Sequence, residues 1–161
     1  MSDVCMDGGC ICGDVRYRII AKPYFVHCCH CRDCQRLSGS AFAINAMVEA
    51  KYVELLQGKT ETIKVPSPSG MGQLVVRCPN CKTAVWSHYG PTDKKEKICF
   101  MRAGTLDDPE PVEPDIHIYT RSKLPWVKLP DDKPAVEEFY TYEDVWPAES
   151  LARRNAALTK D

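Results

Sequence analysis

Seven cysteines in three tight groups constrain this chain more than any other feature: Cys10-Ile11-Cys12, Cys29-His30-Cys31-Arg32-Asp33-Cys34 and Cys78-Pro79-Asn80-Cys81. Zinc takes thiolates at about 2.3 Å in a tetrahedron. A two-residue gap lets the backbone fold back so that Cys78 and Cys81 both reach one ion, and Pro79 and Asn80 favour that turn. In an extended strand residues i and i+2 share a face, so Cys10 and Cys12 can also point the same way. The flanking Gly9 and Gly13 let the backbone bend around an ion. A closed site needs four ligands, and Cys10, Cys12, Cys78 and Cys81 supply them from opposite parts of the chain. Such a site ties the amino-terminal segment to the central sheet and contributes directly to folding. Spacing alone leaves another partition open, in which Cys10 and Cys12 pair with part of the middle cluster.

The middle cluster places Cys29, Cys31 and Cys34 within six residues. Cys29 and Cys31 share a strand face and Cys34 returns over a short turn. Three protein ligands plus one open position is the pattern of catalytic zinc. The competing reading is a second closed site whose fourth ligand is His30, His27, Cys28 or a distant histidine. Cys28 alternates with Cys29 and is expected to point into the core. Cys99, in the apolar run Ile98–Met101, reads as packing, and Cys5 carries no assigned chemistry. His117 can approach the open metal, although a hydrogen-bonded histidine on a strand is the commoner case.

The remaining chain bounds the context. At 161 residues, 44% hydrophobic and 27% charged, it fits one globular domain with a core of its own. Lys and Arg total 21 against 22 Asp and Glu, a net charge of -1. That balance lacks the basic footprint of a nucleic-acid partner. The first residues show no secretory pattern, and no apolar run reaches the ~18–20 residues of a membrane span. The expectation is a cytoplasmic protein without membrane contact, where thiols stay reduced and clustered cysteines mean metal or catalysis.

Runs rich in β-branched and aromatic residues recur at Val15–Ile20, Tyr24–Cys28, Ala41–Val48, Gln73–Arg77, Ala84–Tyr89, Ile98–Ala103 and Ile116–Thr120. Gly, Pro and Asp separate them, which predicts a mainly β fold of short antiparallel strands with few short helices. Asp33–Leu37 reads as one helical turn, and the tail from Pro147 reads as a helix with a weak apolar stripe. The expected plan is a flexible 1–7, a single zinc-binding domain over 8–142, and a peripheral, helical 143–161.

Several stretches together resemble a known family. They are Gly9-Cys10-Ile11-Cys12-Gly13 with Val15-Arg16-Tyr17, Cys29–Cys34 with Ser38-Gly39-Ser40, Arg77–Cys81, Gly104-Thr105-Leu106-Asp107, and His117-Ile118-Tyr119 through Pro125-Trp126. In these motifs the chain resembles the glutathione-dependent formaldehyde-activating enzyme / centromere protein V family from about Gly8 to Tyr140. The resemblance implies a zinc-stabilised β-tent fold, shared with Rab-binding exchange-factor chaperones and B-type methionine sulfoxide reductases. It implies two zinc ions per chain: a structural one on Cys10, Cys12, Cys78 and Cys81, and a catalytic one on Cys29, Cys31 and Cys34 with an open position. Lys82 departs from the pattern, which usually has Gly after the knuckle. A lysine there must adopt a left-handed conformation or shift the turn.

Zinc with three thiolates is a blunted Lewis acid, so bound water is acidified less than with neutral ligands. A soft incoming thiol suits such an ion, because coordination deprotonates it. The expected activity is therefore that of a carbon–sulfur lyase, similar to S-(hydroxymethyl)glutathione synthase. Cys29, Cys31 and Cys34 form its catalytic centre, and its partners are a glutathione-like thiol and a small aldehyde such as formaldehyde. Arg32, Arg36 or Lys82 can balance the anionic ligand set, though solvated surface charge is the commoner role. The alternatives are a zinc lyase, dehydratase or isomerase polarising a carbonyl on another metabolite, and a non-catalytic zinc interaction module. A homodimer is compatible with either. A methionine sulfoxide reductase needs a reactive free cysteine, and none follows Cys99.

Overall fold

Phe25-Val26-His27-Cys28-Cys29 is buried at every position. A strand buried on both faces must lie inside a sheet covered on both sides, and that requirement organises the chain. The computed structural model describes residues 4–67, 69–90 and 95–159. Ten strands follow in order: β1 (Met6–Gly9), β2 (Arg16–Ile19), β3 (Phe25–Cys29), β4 (Ala43–Glu49), β5 (Val53–Gln57), β6 (Glu61–Val65), β7 (Gln73–Arg77), β8 (Ala84–His88), β9 (Ile98–Arg102) and β10 (Ile116–Ile118). The helices are α1 (Arg32–Ser38), α2 (Tyr142–Val145) and α3 (Ala148–Thr159). The protein is mainly β, as the sequence predicts. No helix among the described residues is long and apolar enough to cross a membrane.

The large sheet has the order β10-β3-β4-β9-β8-β7-β6, and a smaller one has β1-β2-β5. All pairings are antiparallel except β10 on β3, which is parallel and sets Ile118 beside Cys29. Between them, β3 and β4 align Cys29 with Ala43 and His27 with Asn45. The next pair sets Asn45 opposite Arg102.

Alternation along these strands builds two cores. One face sends Val26, Ala46, Val48 and Met101 against Tyr17 and Ile19 of the small sheet. The other sends Phe25, Cys29, Met47, Ile98 and Ile116 against the carboxy-terminal segment. Tyr17 is fully buried, and its hydroxyl meets Thr105 Oγ1 at 2.7 Å. Gly8 makes room for it, since a Cβ there would lie 2.5 Å from that hydroxyl oxygen.

The carboxy-terminal segment lies against the second core. α3 has no fully buried residue, yet Leu151 and Leu158 pack on the second core and Trp146 is buried within it. Trp146 stacks on Phe25 with ring centres 5.1 Å apart. Ser150 Oγ donates to the Tyr24 carbonyl at 2.7 Å. Arg153 clamps Glu49 through Nε (3.1 Å) and Nη2 (2.7 Å) and reaches the Lys22 carbonyl. The Glu49 side chain is only 6% exposed, so losing its partner strands a carboxylate in a poorly solvated place. Arg153→Ala should lower stability by about 1–3 kcal/mol, less than for a fully buried pair because Arg153 is itself partly solvated. A urea denaturation curve checks this. An unchanged midpoint would mean the clamp contributes nothing.

Candidate metal centres

The first cluster lies where the turn after β1 meets the β7–β8 turn. The Cys10 amide donates to the Val15 carbonyl and the Gly13 amide to the Cys10 carbonyl, both at 3.1 Å. These bonds curl the segment so that Cys10 and Cys12 face Cys78 and Cys81. All four sulfurs lie within 4.8 Å of one another, with Cys10–Cys12 at 3.4 Å and Cys12–Cys78 at 3.8 Å. Sulfurs bound at about 2.3 Å to a tetrahedral ion stand about 3.8 Å apart, so the set fits such an ion. Cys10 and Cys12 are thus brought to Cys78 and Cys81 and not to the middle cluster.

Donors converge on these sulfurs. The Val15 amide donates to Cys10 Sγ at 3.2 Å and Asn80 Nδ2 approaches Cys12 Sγ at 3.8 Å. Thr83 Oγ1 lies 3.1 Å from Cys81 Sγ. That hydroxyl first, and the Thr83 amide next, bring the Cys81 thiol down to about 5. Hydrogen bonds to sulfur favour the thiolate, the form a metal takes. Lys82 adopts the left-handed conformation (φ 63°), so the turn keeps its shape at the lysine's expense. Its Nζ donates to Glu61, which Arg77 also holds at 2.6 Å.

The second cluster joins the end of β3 to the start of α1. Cys29 closes the strand, Cys31 caps the helix, and the Cys34 amide donates to Cys31 Sγ at 3.3 Å. The three sulfurs also lie within 4.8 Å of one another, and among the described residues no fourth Cys, His, Asp or Glu joins them. The Cys29 and Cys34 thiols, followed by the amides of Asp33 and Cys34, push the Cys31 thiol far down. Contacts with Cys31 and Cys34, together with burial, push Cys29 up.

The histidines and Cys28 stand apart from this trio. His27 turns into the aromatic layer, its Nε2 2.5 Å from the Tyr140 hydroxyl. Cys28 and His30 project to the opposite face with His117. Cys28 Sγ is 3.6 Å from His30 Nε2, which is 3.0 Å from His117 Nδ1. These three atoms are close enough for a metal, but the rings argue otherwise. Their centres are 5.3 Å apart, which is the 3.0 Å contact plus about one ring radius on each side. The two nitrogens therefore face each other along one line and share a proton. Lone pairs aimed at one another do not converge on an ion. Burial, and then the charge of His117, lowers His30 to about 4 and keeps it neutral. His30 acts as a pin: its amide donates to the Ile118 carbonyl, and its carbonyl accepts from Gln35 Nε2 and Ser122 Oγ.

Polar and aromatic residues follow the second cluster along the same face of the large sheet. The register carries Cys29 to Ala43 on β4, and two residues along Asn45 to Arg102 on β9. Arg102 Nη1 donates to Asn45 Oδ1 and Nη2 to Gln73 Oε1 at 3.4 Å. Asn45 and Gln73 are 7% and 1% exposed, while Arg102, Tyr89, Phe100 and Tyr119 are half-buried. Tyr89 meets Phe100 edge-on at 5.4 Å. Its hydroxyl is held protonated by burial first, then by the negative charge of Cys34. Burial and the charges of Cys29 and Cys31 hold Tyr119 protonated in the same way. Sequence reading missed these residues, although Asn45 and Arg102 were visible as polar side chains inside apolar strands.

The cations weighed in the sequence as a balance for the thiolates, with solvated surface charge as their commoner role, lie elsewhere. Arg32, Gln35, Arg36 and Gly39 occupy one face of α1, away from Cys34. With Phe42, Leu124 and Trp126 they border a separate open groove of about 680 Å³. Lys82 serves Glu61 at the first cluster. Asp107, in the loop after β9, pairs with Arg16.

The model of the glutathione-dependent formaldehyde-activating enzyme family matches residues 5–122. The chain belongs to this family. The match contains all seven clustered cysteines and every strand, and it ends before α2 and α3. The crystal structure of a Rhodobacter sphaeroides protein is similar in fold, with a TM-score of 0.50 at 14% identity, covering 81% of this chain and 100% of that one. No curated protein matches. The family ties the chain to formaldehyde and glutathione chemistry, and its cysteine clusters can hold metal ions.

Two outcomes follow from these turns. A strong chelator should lower the thermal midpoint of this family member, and Cys78→Ser should reproduce that loss without chelator. A chelator-insensitive midpoint would exclude a metal contribution to folding. Lys82→Gly should raise stability by about 1 kcal/mol by relieving the left-handed lysine. The half-exposed Lys82–Glu61 pair that it removes is worth little. A lower urea midpoint for Lys82→Gly would show the pair outweighs the strain.

Proposed function

We propose that this family member joins a thiol to a small aldehyde, or reverses that addition, at the Cys29/Cys31/Cys34 centre. Zinc is the ion that both cysteine sets fit: one closed by four thiolates and structural, the other held by three and open to substrate. The carrying observation is the convergence of three thiols, with no fourth protein donor among the described residues. When bound there, zinc supplies a soft position at which a thiol is favoured as thiolate.

The chain's own residues supply the rest. Helix α1 and strand β3 hold the three cysteines in one place, so little reorganisation is needed when substrate arrives. Tyr89 and Tyr119 remain protonated beside them and are suited to donate to the aldehyde oxygen as charge develops on it. In the addition, sulfur bonds to the carbonyl carbon and the thiol's proton ends on the former carbonyl oxygen. The product is an S-hydroxyalkyl thioether, and cleavage runs the same steps backwards. Free thiols throughout fit a reducing compartment such as the cytoplasm.

Exchange NMR with carbon-13 formaldehyde and glutathione measures the interconversion of free and adduct forms. The zinc-loaded protein should accelerate it well beyond the spontaneous rate. Cys31→Ser should remove the acceleration and reduce zinc from about two ions per chain to about one. The fold should survive, because the four-cysteine set is intact. Unaltered exchange in the presence of fully loaded protein would sink this reading. It would favour carbonyl chemistry on another metabolite or a non-catalytic role.

A further inference from the structure

We propose that the groove between α1 and the turn after β10 binds a nucleoside diphosphate, with the base stacked on Trp126 and the phosphates held by Arg32 and Arg36. The groove has a volume of about 680 Å³, within the range of small-ligand sites. One buried side chain ties its two walls: Gln35 Nε2 donates to the His30 carbonyl at 2.8 Å and to the Ser122 carbonyl at 3.0 Å. The turn that follows Ser122 is fixed in its own right. The Val127 amide donates to the Leu124 carbonyl at 3.0 Å. Lys123 Nζ donates to the carbonyls of Leu124 (3.2 Å) and Val127 (2.6 Å). This turn presents the Trp126 side chain to solvent, 71% exposed. An indole held in water on a fixed turn is unfavourably hydrated, and a stacked ring relieves that.

The opposite wall is cationic. Arg32 and Arg36 stand one turn apart on α1, so their side chains are neighbours. Arg16, Arg18, Arg77, Arg121 and Arg153 each have a carboxylate partner. Among the described residues Arg32 and Arg36 have none, and no acidic residue borders the groove. Arg32 Nη1 donates instead to Gln35 Oε1. A neutral amide oxygen orients the guanidinium without cancelling its charge and leaves the rest of the fork open. Like charges at this spacing repel, and an anion that bridges them relieves the repulsion. Phosphate oxygens match the planar fork with paired hydrogen bonds, and two linked phosphates match two forks. Phe42 and Leu124 add half-buried apolar surface. A flat ring for one wall and two phosphates for the other are joined in a nucleotide. The net charge of -1 lacks the extended basic surface of a strand-binding protein, so the source is a free nucleotide.

The test is an NMR titration of the zinc-loaded full chain with ADP, pyrophosphate and adenosine, following the Gly39 and Leu124 amides beside the groove. ADP should bind below millimolar concentration and more tightly than either of its parts. Trp126→Ala should weaken ADP about 10-fold, as for one stacked base, and leave pyrophosphate unchanged. Trp126→Phe, which keeps a ring, should retain most of the affinity and guards against a folding defect. Arg36→Gln should weaken ADP about 10-fold, as for a charge-assisted hydrogen bond, and leave adenosine unchanged. Cys31→Ser should bind ADP as the wild type does, since serine also caps the helix. No shift with millimolar ADP overturns the proposal, as does pyrophosphate binding as tightly as ADP. So does ADP affinity that survives both Trp126→Ala and Arg36→Gln. Binding lost in Cys31→Ser would place the phosphates on the metal of the cysteine centre and also overturn it. An oligoadenylate that binds more tightly per nucleotide than ADP would mark a strand-binding surface and overturn the free-nucleotide assignment.

Discussion

Burial of β3 on both faces is the constraint from which the rest of the structure follows. A strand alternates its side chains, so Phe25, His27 and Cys29 go to one side and Val26 and Cys28 to the other. Each side must then find a cover. The small sheet closes over the Val26 side through Tyr17 and Ile19, and the carboxy-terminal segment closes over the Phe25 side through Trp146 and Tyr140. Continuation into α1 extends the same logic: Cys31 and Cys34 rejoin Cys29, while His30 departs with Cys28. The strand therefore separates a thiol centre on one face from a hydrogen-bonded Cys28–His30–His117 chain on the other.

The two faces are not independent. His30 bonds Ile118 of β10 through its amide and Gln35 of α1 and Ser122 through its carbonyl. Those bonds fix the angle at which α1 leaves β3, which sets where Cys31 and Cys34 stand relative to Cys29. A neutral, buried imidazole pair suits that role, because a charged one would need a counter-ion on a face that offers none close by. The buried polar groups nearest the centre thus act through geometry.

Much of this was legible in sequence where a residue type has few physical options. Seven cysteines at short spacing had to converge, and the runs around β2, β3, β4, β7, β8, β9 and β10 carried enough β-branched and aromatic residues to declare themselves. β1 did not, because Met6-Asp7-Gly8-Gly9 has glycines demanded by the close approach of Tyr17 and the Val15 carbonyl and not by strand propensity. β5 and β6 bury no residue fully, so neither carries the sustained apolar run that marks the other strands. Partition of the cysteines was left open by spacing and resolved by topology, since the β7–β8 turn meets the end of β1 and not the start of α1. Arg32 and Arg36 were attractive as counter-charges because they neighbour the cysteines in sequence. Helical periodicity turns them away, and the arginine that the strand register sets on the Cys29 face of the sheet is Arg102 of β9, about 70 residues downstream of Cys31. Cross-strand neighbours of that kind leave no local signal in a single sequence.

The carboxy-terminal segment carries the last step of this reasoning. Phe139, Tyr140, Tyr142 and Trp146 form a contiguous aromatic layer, with Tyr140 bonded to both His27 and the Trp146 indole. The layer covers His27, two residues before Cys29, and Phe139 reaches Tyr119 at 6.1 Å. Tyr119 in turn flanks the thiol centre. A segment beyond the family match therefore supplies one wall of packing behind the centre, holding in place a tyrosine that the match does include.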